Sequence, residues 1–196
     1  MIKKFLTLSV LATALYANEH TTVHSTPHAC TTVSPHTYIV LKGLVTTGDT
    51  TSHGHHVALD GDSAKGLGLD LGYPLSHAFA VELTTSYASA DVTETDTSDS
   101  HHPHHETLSA TYLTYGMALV FNKHINHQAG IFAKVGVERE KETLNGHTQN
   151  DVGALFAIGA EYKILPGYEL LAEYEKSTIA GPKGSSIYLG LKTNLY

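Results

Sequence analysis

From Tyr38 onward the chain alternates, and that alternation limits what it can fold into more than any other feature. In residues 151–164, Val152, Ala154, Phe156, Ile158, Ala160, Tyr162 and Ile164 fall on one face, and Gly153, Leu155, Ala157, Gly159, Glu161 and Lys163 on the other. Successive side chains leave opposite faces of a strand, so a period of two sustained this long signals a strand and not a helix. The same period predicts strands over 39–45, 67–73, 79–87, 113–121, 129–137, 168–174 and 187–195, which makes eight with 151–164. The connections alternate in length too. Short ones fall at 74–77, 122–127 and 166–167, and longer ones at 49–64, 92–106, 143–150 and 179–185. In an antiparallel meander this gathers the tight turns at one end and the loops at the other, the pattern of a transmembrane barrel with short periplasmic turns and longer extracellular loops.

Composition decides which face is outside. Charged residues make up 16% of the chain, against roughly 25% in an ordinary soluble domain. One face of the predicted strands collects Leu67, Leu69, Leu71, Tyr73, Phe79, Val81, Leu83, Leu113, Tyr115, Met117, Leu119 and Phe121. The other collects Gly66, Gly68, Asp70, Gly72, Glu82, Lys134, Glu138, Glu161, Lys163, Glu169, Glu173, Glu175 and Lys192. A soluble barrel would turn the apolar face inward. Eight strands leave an interior only just filled by side chains, so small residues and paired charges suit the lumen and the apolar set suits lipid. Glu161, Glu169, Glu173 and Glu175 are expected to pair with Lys42, Lys134, Lys163 and Lys192, because buried charges need partners. Tyr73, Tyr87, Tyr112, Tyr115, Tyr162, Tyr168, Tyr174 and Tyr188 lie near strand ends, where an aromatic girdle is expected. No stretch beyond the N-terminus approaches the 18 apolar residues of a helical span.

The first 17 residues, MIKKFLTLSVLATALYA, have a basic start, an apolar stretch and a small residue before Asn18, the pattern of a secretory signal peptide. The expected organisation is a signal peptide at 1–17, a His-rich periplasmic tail at 18–37 and an outer-membrane barrel at 38–196. Cys30 is the single cysteine, so there is no internal disulfide and no cysteine-based zinc finger, and its place in the polar tail argues against lipidation. A formal charge of −7 with one arginine, Arg139, excludes the concentrated basic face of a nucleic-acid binder.

With its signal peptide, a first strand opening Tyr38-Ile39-Val40-Leu41-Lys42-Gly43 and a last strand through Ile187-Tyr188-Leu189-Gly190-Leu191 to a terminal aromatic, the chain resembles the small outer-membrane β-barrel proteins of Gram-negative bacteria, the eight-stranded OmpA-like, OmpX-like and opacity-type barrels. The resemblance implies an all-β, eight-stranded antiparallel up-and-down transmembrane barrel, monomeric in outer-membrane lipid and inserted by the barrel-assembly machinery. Members usually end on Phe in phase with the lipid-facing set. Tyr196 is out of phase with Leu189, Leu191 and Leu195, so either a bulge near Thr193 shifts the register or Leu195 serves as the terminal apolar residue.

The chain carries 15 His, unevenly placed. His53, His55 and His56 fall in the first long connection, and His101, His102, His104 and His105 in the second, interleaved with Glu94, Asp96, Asp99 and Glu106. Neutral imidazole is the commonest protein ligand for zinc, copper and nickel, and carboxylates add oxygen donors. These seven histidines are therefore candidate ligands for a weakly bound divalent metal, with no other cofactor expected. His24, His28, Cys30 and His36 form a second candidate group in the tail. A polar loop also tolerates His without any function. The chain lacks G-x-S-x-G, a phosphate loop and a dinucleotide fingerprint, and His105-Glu106 lacks the second His of the zinc-protease helix motif. The expected role is a non-enzymatic surface-interaction barrel whose polar loops meet an extracellular ligand. A metal-binding surface protein and a lipid-modifying barrel enzyme are the alternatives.

Overall fold

A computed structural model describes residues 36–53, 57–96 and 104–195. All the regular structure in these residues is strand: β1 (Tyr38–Thr46), β2 (Thr50–His53), β3 (Val57–Gly61), β4 (Lys65–Pro74), β5 (Phe79–Asp96), β6 (His104–His124), β7 (Ala129–Leu144), β8 (His147–Leu165), β9 (Tyr168–Ser177) and β10 (Ser186–Asn194). Strands β1 and β4–β10 form a closed antiparallel meander. Each pairs with its neighbour along the chain, and β1 meets β10 from Tyr38↔Asn194 to Thr46↔Ser186. Closure leaves no strand edge in the wall, so every backbone donor there can find a partner without water.

The alternation sorts side chains as expected. Leu67, Leu69, Leu71, Leu83, Met117, Phe156, Ile158 and Leu189 are exposed on the outer wall, while Asp70, Glu82, Lys134, Glu138, Glu161, Glu173 and Glu175 are buried inside. This inverts a soluble protein, and the exposed apolar band is the surface that hydrocarbon covers. Tyr73, Tyr87, Tyr115, Tyr162, Tyr168 and Tyr174 are outward, as a girdle should be, but Tyr112 and Tyr188 are buried in the lumen. Their positions in the period place them inward, so they belong to the interior.

Elsewhere the strands run longer than their apolar stretches. Beyond the bilayer, polar residues can continue a ladder at no desolvation cost, and hydrophobic periodicity does not reveal the extension. Strand β5 continues to Asp96 and β6 begins at His104, so much of 92–106 is a hairpin, with Val92 fully buried. The first long connection contains β2 and β3. There β3 takes over beside β5 where β4 ends: Val57↔Asp96 to Gly61↔Val92 follows Lys65↔Ser89. The third connection is a tight hairpin turn, Asn145-Gly146, in which both residues have positive φ (46° and 83°). Asn-Gly is the sequence that such a primed turn favours, and the signal was present within 143–150. At the chain's end the β1–β10 register runs unshifted through Thr193↔Ile39. Leu195, exposed and in phase with Leu189 and Leu191, therefore closes the outward set, and no bulge at Thr193 is needed. The register shift lies instead between Lys163 and Leu165 on β8. Lys163, still opposite Glu169, is exposed at the turn end and not buried with the lumenal set to which period two assigned it.

Replacing Leu41 or Leu69, each exposed in the middle of a membrane-length strand, by Arg is expected to lower barrel stability in lipid vesicles by about 2–4 kcal/mol, the cost of Arg near the bilayer midplane. Urea-dependent refolding followed by the mobility difference between boiled and unboiled protein measures this. Unchanged stability in both variants would mean that the lipid-facing wall is misassigned.

Candidate functional site

Two regions concentrate polar chemistry: the lumen and the barrel's loop end. Inward residues of β1 read Tyr38, Val40, Lys42, Leu44 and Thr46, a layered order that the whole interior follows. Tyr38, Val40, Ala80, Val120, Phe132 and Leu171 pack together toward the turn end. Leu44, Leu59, Ala64, Ala88, Val92, Ala110, Tyr112 and Tyr188 pack together toward the loop end.

Between these apolar layers sits an ion cluster. Lys134 Nζ lies 2.6 Å from Glu82, 2.6 Å from Glu173 and 3.2 Å from Asp70. Lys42 Nζ lies 2.8 Å from Asp70 and 3.2 Å from Glu173. The Tyr38 hydroxyl donates to Glu82 at 2.8 Å, and its ring fits because Gly72 carries no Cβ, which would overlap it. Lys42 also stands 4.2 Å over the Tyr188 ring, whose hydroxyl donates to Glu175 at 2.8 Å. Toward the turns, Lys192 pairs with Glu161 at 2.8 Å and Glu169 at 3.0 Å. Thus Glu161, Glu169 and Glu173 find Lys42, Lys134 and Lys192 as expected, whereas Lys163 takes no part in these pairs and Glu175 accepts from the Tyr188 hydroxyl in place of a lysine. Asp70 and Glu82 join the cluster.

One lumenal cation comes from an element that periodicity could not reveal. Lys183, in the loop between β9 and β10, reaches into the lumen and donates to Glu140 at 2.6 Å and to the Thr114 hydroxyl at 3.1 Å. The loop is fastened by Thr47 N–H to the Ser185 carbonyl at 2.8 Å and Asp49 N–H to the Pro182 carbonyl at 2.9 Å.

Beside that loop lies a cleft of about 300 Å³ lined by Thr51, Glu142, Gln149, Asp151, Thr178 and Gly181. One Glu142 carboxylate oxygen is buried there without a hydrogen-bond partner. Burial, with Glu140 and Asp151 nearby, pushes the Glu142 carboxyl above its ordinary range. The cleft is chemically a place for a cationic or hydrogen-bond-donating group.

The histidine candidates are only partly brought together. His55, His56, His101 and His102 lie outside the described residues. His53 ends β2 opposite Val57, and His104 opens β6 opposite Asp96. His105 is exposed, with its Nδ1 3.0 Å from the Thr95 hydroxyl across the ladder. No group of three metal-ligating side chains converges among the described residues. The tail candidates His24, His28 and Cys30 also lie outside the described residues.

The family model described as "Outer membrane protein beta-barrel domain" matches residues 9–194. No curated protein matches the sequence. Among solved structures, the fold is similar to the outer membrane protein OprG of Pseudomonas aeruginosa, with TM-score 0.66 and 12% identity, covering 83% of this chain and 97% of that one. It is also similar to Neisserial surface protein A, with TM-score 0.54 and 13% identity over 81% of this chain and 97% of that one. The attachment invasion locus protein Ail of Yersinia pestis, solved with the heparin analogue sucrose octasulfate, gives TM-score 0.52 and 15% identity over 82% and 99%.

Replacing Lys134 by Met is expected to destabilise the barrel by about 3–5 kcal/mol, because Asp70, Glu82 and Glu173 then stay buried without their shared cation. Equilibrium urea unfolding in detergent micelles reads the loss. A stability equal to the unmodified protein would show that the cluster does not hold the lumen together.

Proposed function

The chain belongs to the outer membrane β-barrel protein family and is an outer-membrane protein of the Gram-negative type, and from that premise we propose that it is a non-catalytic surface-display barrel whose acidic extracellular sheet engages cationic partners. The observation that carries this reading is the sheet β3-β5-β6 continued past the membrane, with β2 on its edge. Leu59, Val92, Leu108 and Ala110 bury their side chains beneath it, so it is a built platform continuous with the apolar layer at the loop end of the lumen.

Its charge is one-sided. Residues 47–64 and 88–112 contain no Lys or Arg, but hold Asp49, Asp60, Asp62, Asp91, Glu94, Asp96, Asp99 and Glu106. The Glu142–Asp151 cleft lies at the same end. Ail was solved with a sulfated heparin analogue; the charge of this platform would repel such a polyanion and attract a cation instead. The folded barrel in neutral detergent is therefore expected to be retained by immobilised polylysine and to pass over immobilised heparin, with retention falling as salt rises through the screening range. The triple change Asp91→Asn, Glu94→Gln and Glu106→Gln should weaken retention on polylysine. Capture by heparin, or retention indifferent to the triple change, would overturn the reading.

A second reading, weak divalent-metal binding, is favoured by the hairpin register. It sets Asp96 opposite His104 and Thr95 opposite His105, so imidazole and carboxylate residues share the ladder a few positions in sequence from His101 and His102. His53, His55 and His56 belong to the neighbouring connection. Deleting 101–105 is expected to remove most zinc or nickel binding in calorimetric titration at pH 7.5, with the barrel still folded. Binding should weaken toward pH 5.5, because protons compete for the imidazole lone pairs. Metal uptake unchanged by the deletion would sink this reading.

A further inference from the structure

The outer wall is apolar but not smooth. On β7, β8 and β9 the outward residues Ala133, Ala160 and Ala172 are small, and Ile131, Ile158 and Tyr174 stand up beside them, leaving a groove of about 770 Å³. That volume lies within the roughly 300–1,000 Å³ of small-molecule sites. Two charged residues line the groove: Glu173, whose carboxylate is buried on the lumenal side with Lys134, and Lys123 of β6 on the outer side. Lys123 is exposed, and it forms none of the ion pairs described above.

The sheet register gives the groove a direction. Lys123 stands opposite Ile131, Ile131 opposite Ala160, and Ala160 opposite Ala172. Lys123 is the next-to-last residue of β6 at the turn end, whereas Ala172 is already the fifth residue of β9. Strand tilt thus makes the row climb from the turn rim toward the depth of the membrane. A cation marks its start at headgroup level, and a trough of small apolar residues continues inward. An amphiphile with an anionic head and a hydrocarbon tail matches that sequence of chemistry.

We propose that this groove binds one glycerophospholipid of the periplasmic leaflet, with an acyl chain over Ala133, Ala160 and Ala172 and the phosphate on the Lys123 ammonium. The rim favours this occupant over a second copy of the chain. Among the described residues, the exposed basic side chains at the turn end are Lys123 and Lys163, with the imidazoles of His36, His77, His124 and His127. Two such rims side by side would set like charges together, whereas phosphate complements them. The groove lies on the wall that outer-membrane lipid already surrounds, so an acyl chain there needs no path through water.

The test is native mass spectrometry of the folded barrel in detergent, titrated with phosphatidylglycerol or with diacylglycerol bearing the same chains. One phosphatidylglycerol per barrel should be retained, with diacylglycerol held on the order of tenfold more weakly for want of a charge-assisted contact. Lys123→Gln should bring phosphatidylglycerol down to the diacylglycerol level. Ala172→Phe should abolish retention of both lipids while the boiled-against-unboiled mobility shift persists. If Ala172→Phe fails to fold, the lipid pair and Lys123→Gln still decide. Equal retention of the two lipids, undiminished retention in Lys123→Gln, or a lipid-free dimer that Ala172→Phe dissociates would each overturn the proposal.

Discussion

Closure of β1 on β10 is the constraint from which the rest of this molecule follows. Each unsatisfied backbone group in hydrocarbon costs several kcal/mol, so a sheet can cross a membrane only if its last strand returns to its first. Nine residue pairs, Tyr38↔Asn194 through Thr46↔Ser186, make that seam. Once the wall is closed its outer face must be apolar, and the polar residues have nowhere to go but inward. With eight strands the interior is too narrow for a water column and must be packed as a solid core. Charges inside are then stable only when shared. Lys134, touching Asp70, Glu82 and Glu173, is the tightest expression of this in the chain.

The same reasoning explains why the two ends differ. A tilted strand crosses the hydrocarbon in roughly 9–11 residues. Strands β1, β4, β9 and β10 have 9, 10, 10 and 9 residues, but β5, β6, β7 and β8 have 18, 21, 16 and 19. Half of the barrel therefore stops near the membrane surface, and the other half stands above it. There water replaces lipid, and the ordinary rule returns: Leu59, Val92 and Leu108 turn toward a core while Asp91 and Ser109, opposite each other on the other face, are exposed. One continuous ladder thus obeys two opposite burial rules along its length, with the switch where the solvent changes.

That switch also sets how much of the structure was legible in the sequence. Within the membrane each position has one permitted character, so the alternation of 151–164 or 113–121 specified strand, face and neighbours. Outside it, polar strand and polar loop look alike. The extensions of β5 and β6, the β2–β3 hairpin and the burial of Val92 left no periodic trace. The Asn145-Gly146 turn was readable by its dipeptide but was obscured by the polar residues around it. Lys163 shows the remaining limit: period two gives a residue's face but not its depth, and at the turn end of β8 Lys163, opposite Glu169, is exposed and not buried. Of the candidate site, the lumenal lysines and glutamates were legible because burial forces pairing. The histidines were not, because an exposed imidazole satisfies water as readily as a metal.

Lys183 shows how a loop can belong to the core. Toward the loop end β7 turns Glu138 and Glu140 inward, β9 turns Glu175 inward, and all three are buried. The strand lysines Lys42, Lys134 and Lys192 are committed to pairs with Asp70, Glu82, Glu161, Glu169 and Glu173. A further cation must therefore enter from outside the wall, and the 178–185 connection supplies it. Backbone hydrogen bonds from Thr47 and Asp49 hold that connection down, so that the Lys183 ammonium meets Glu140. A loop fixed in this way closes the top of the interior and is not free to vary its contacts. Of the loop-end elements, it is then the β2–β3 hairpin and the β5–β6 extension, with Asp60, Asp91 and Glu106 exposed, that remain turned to the outside.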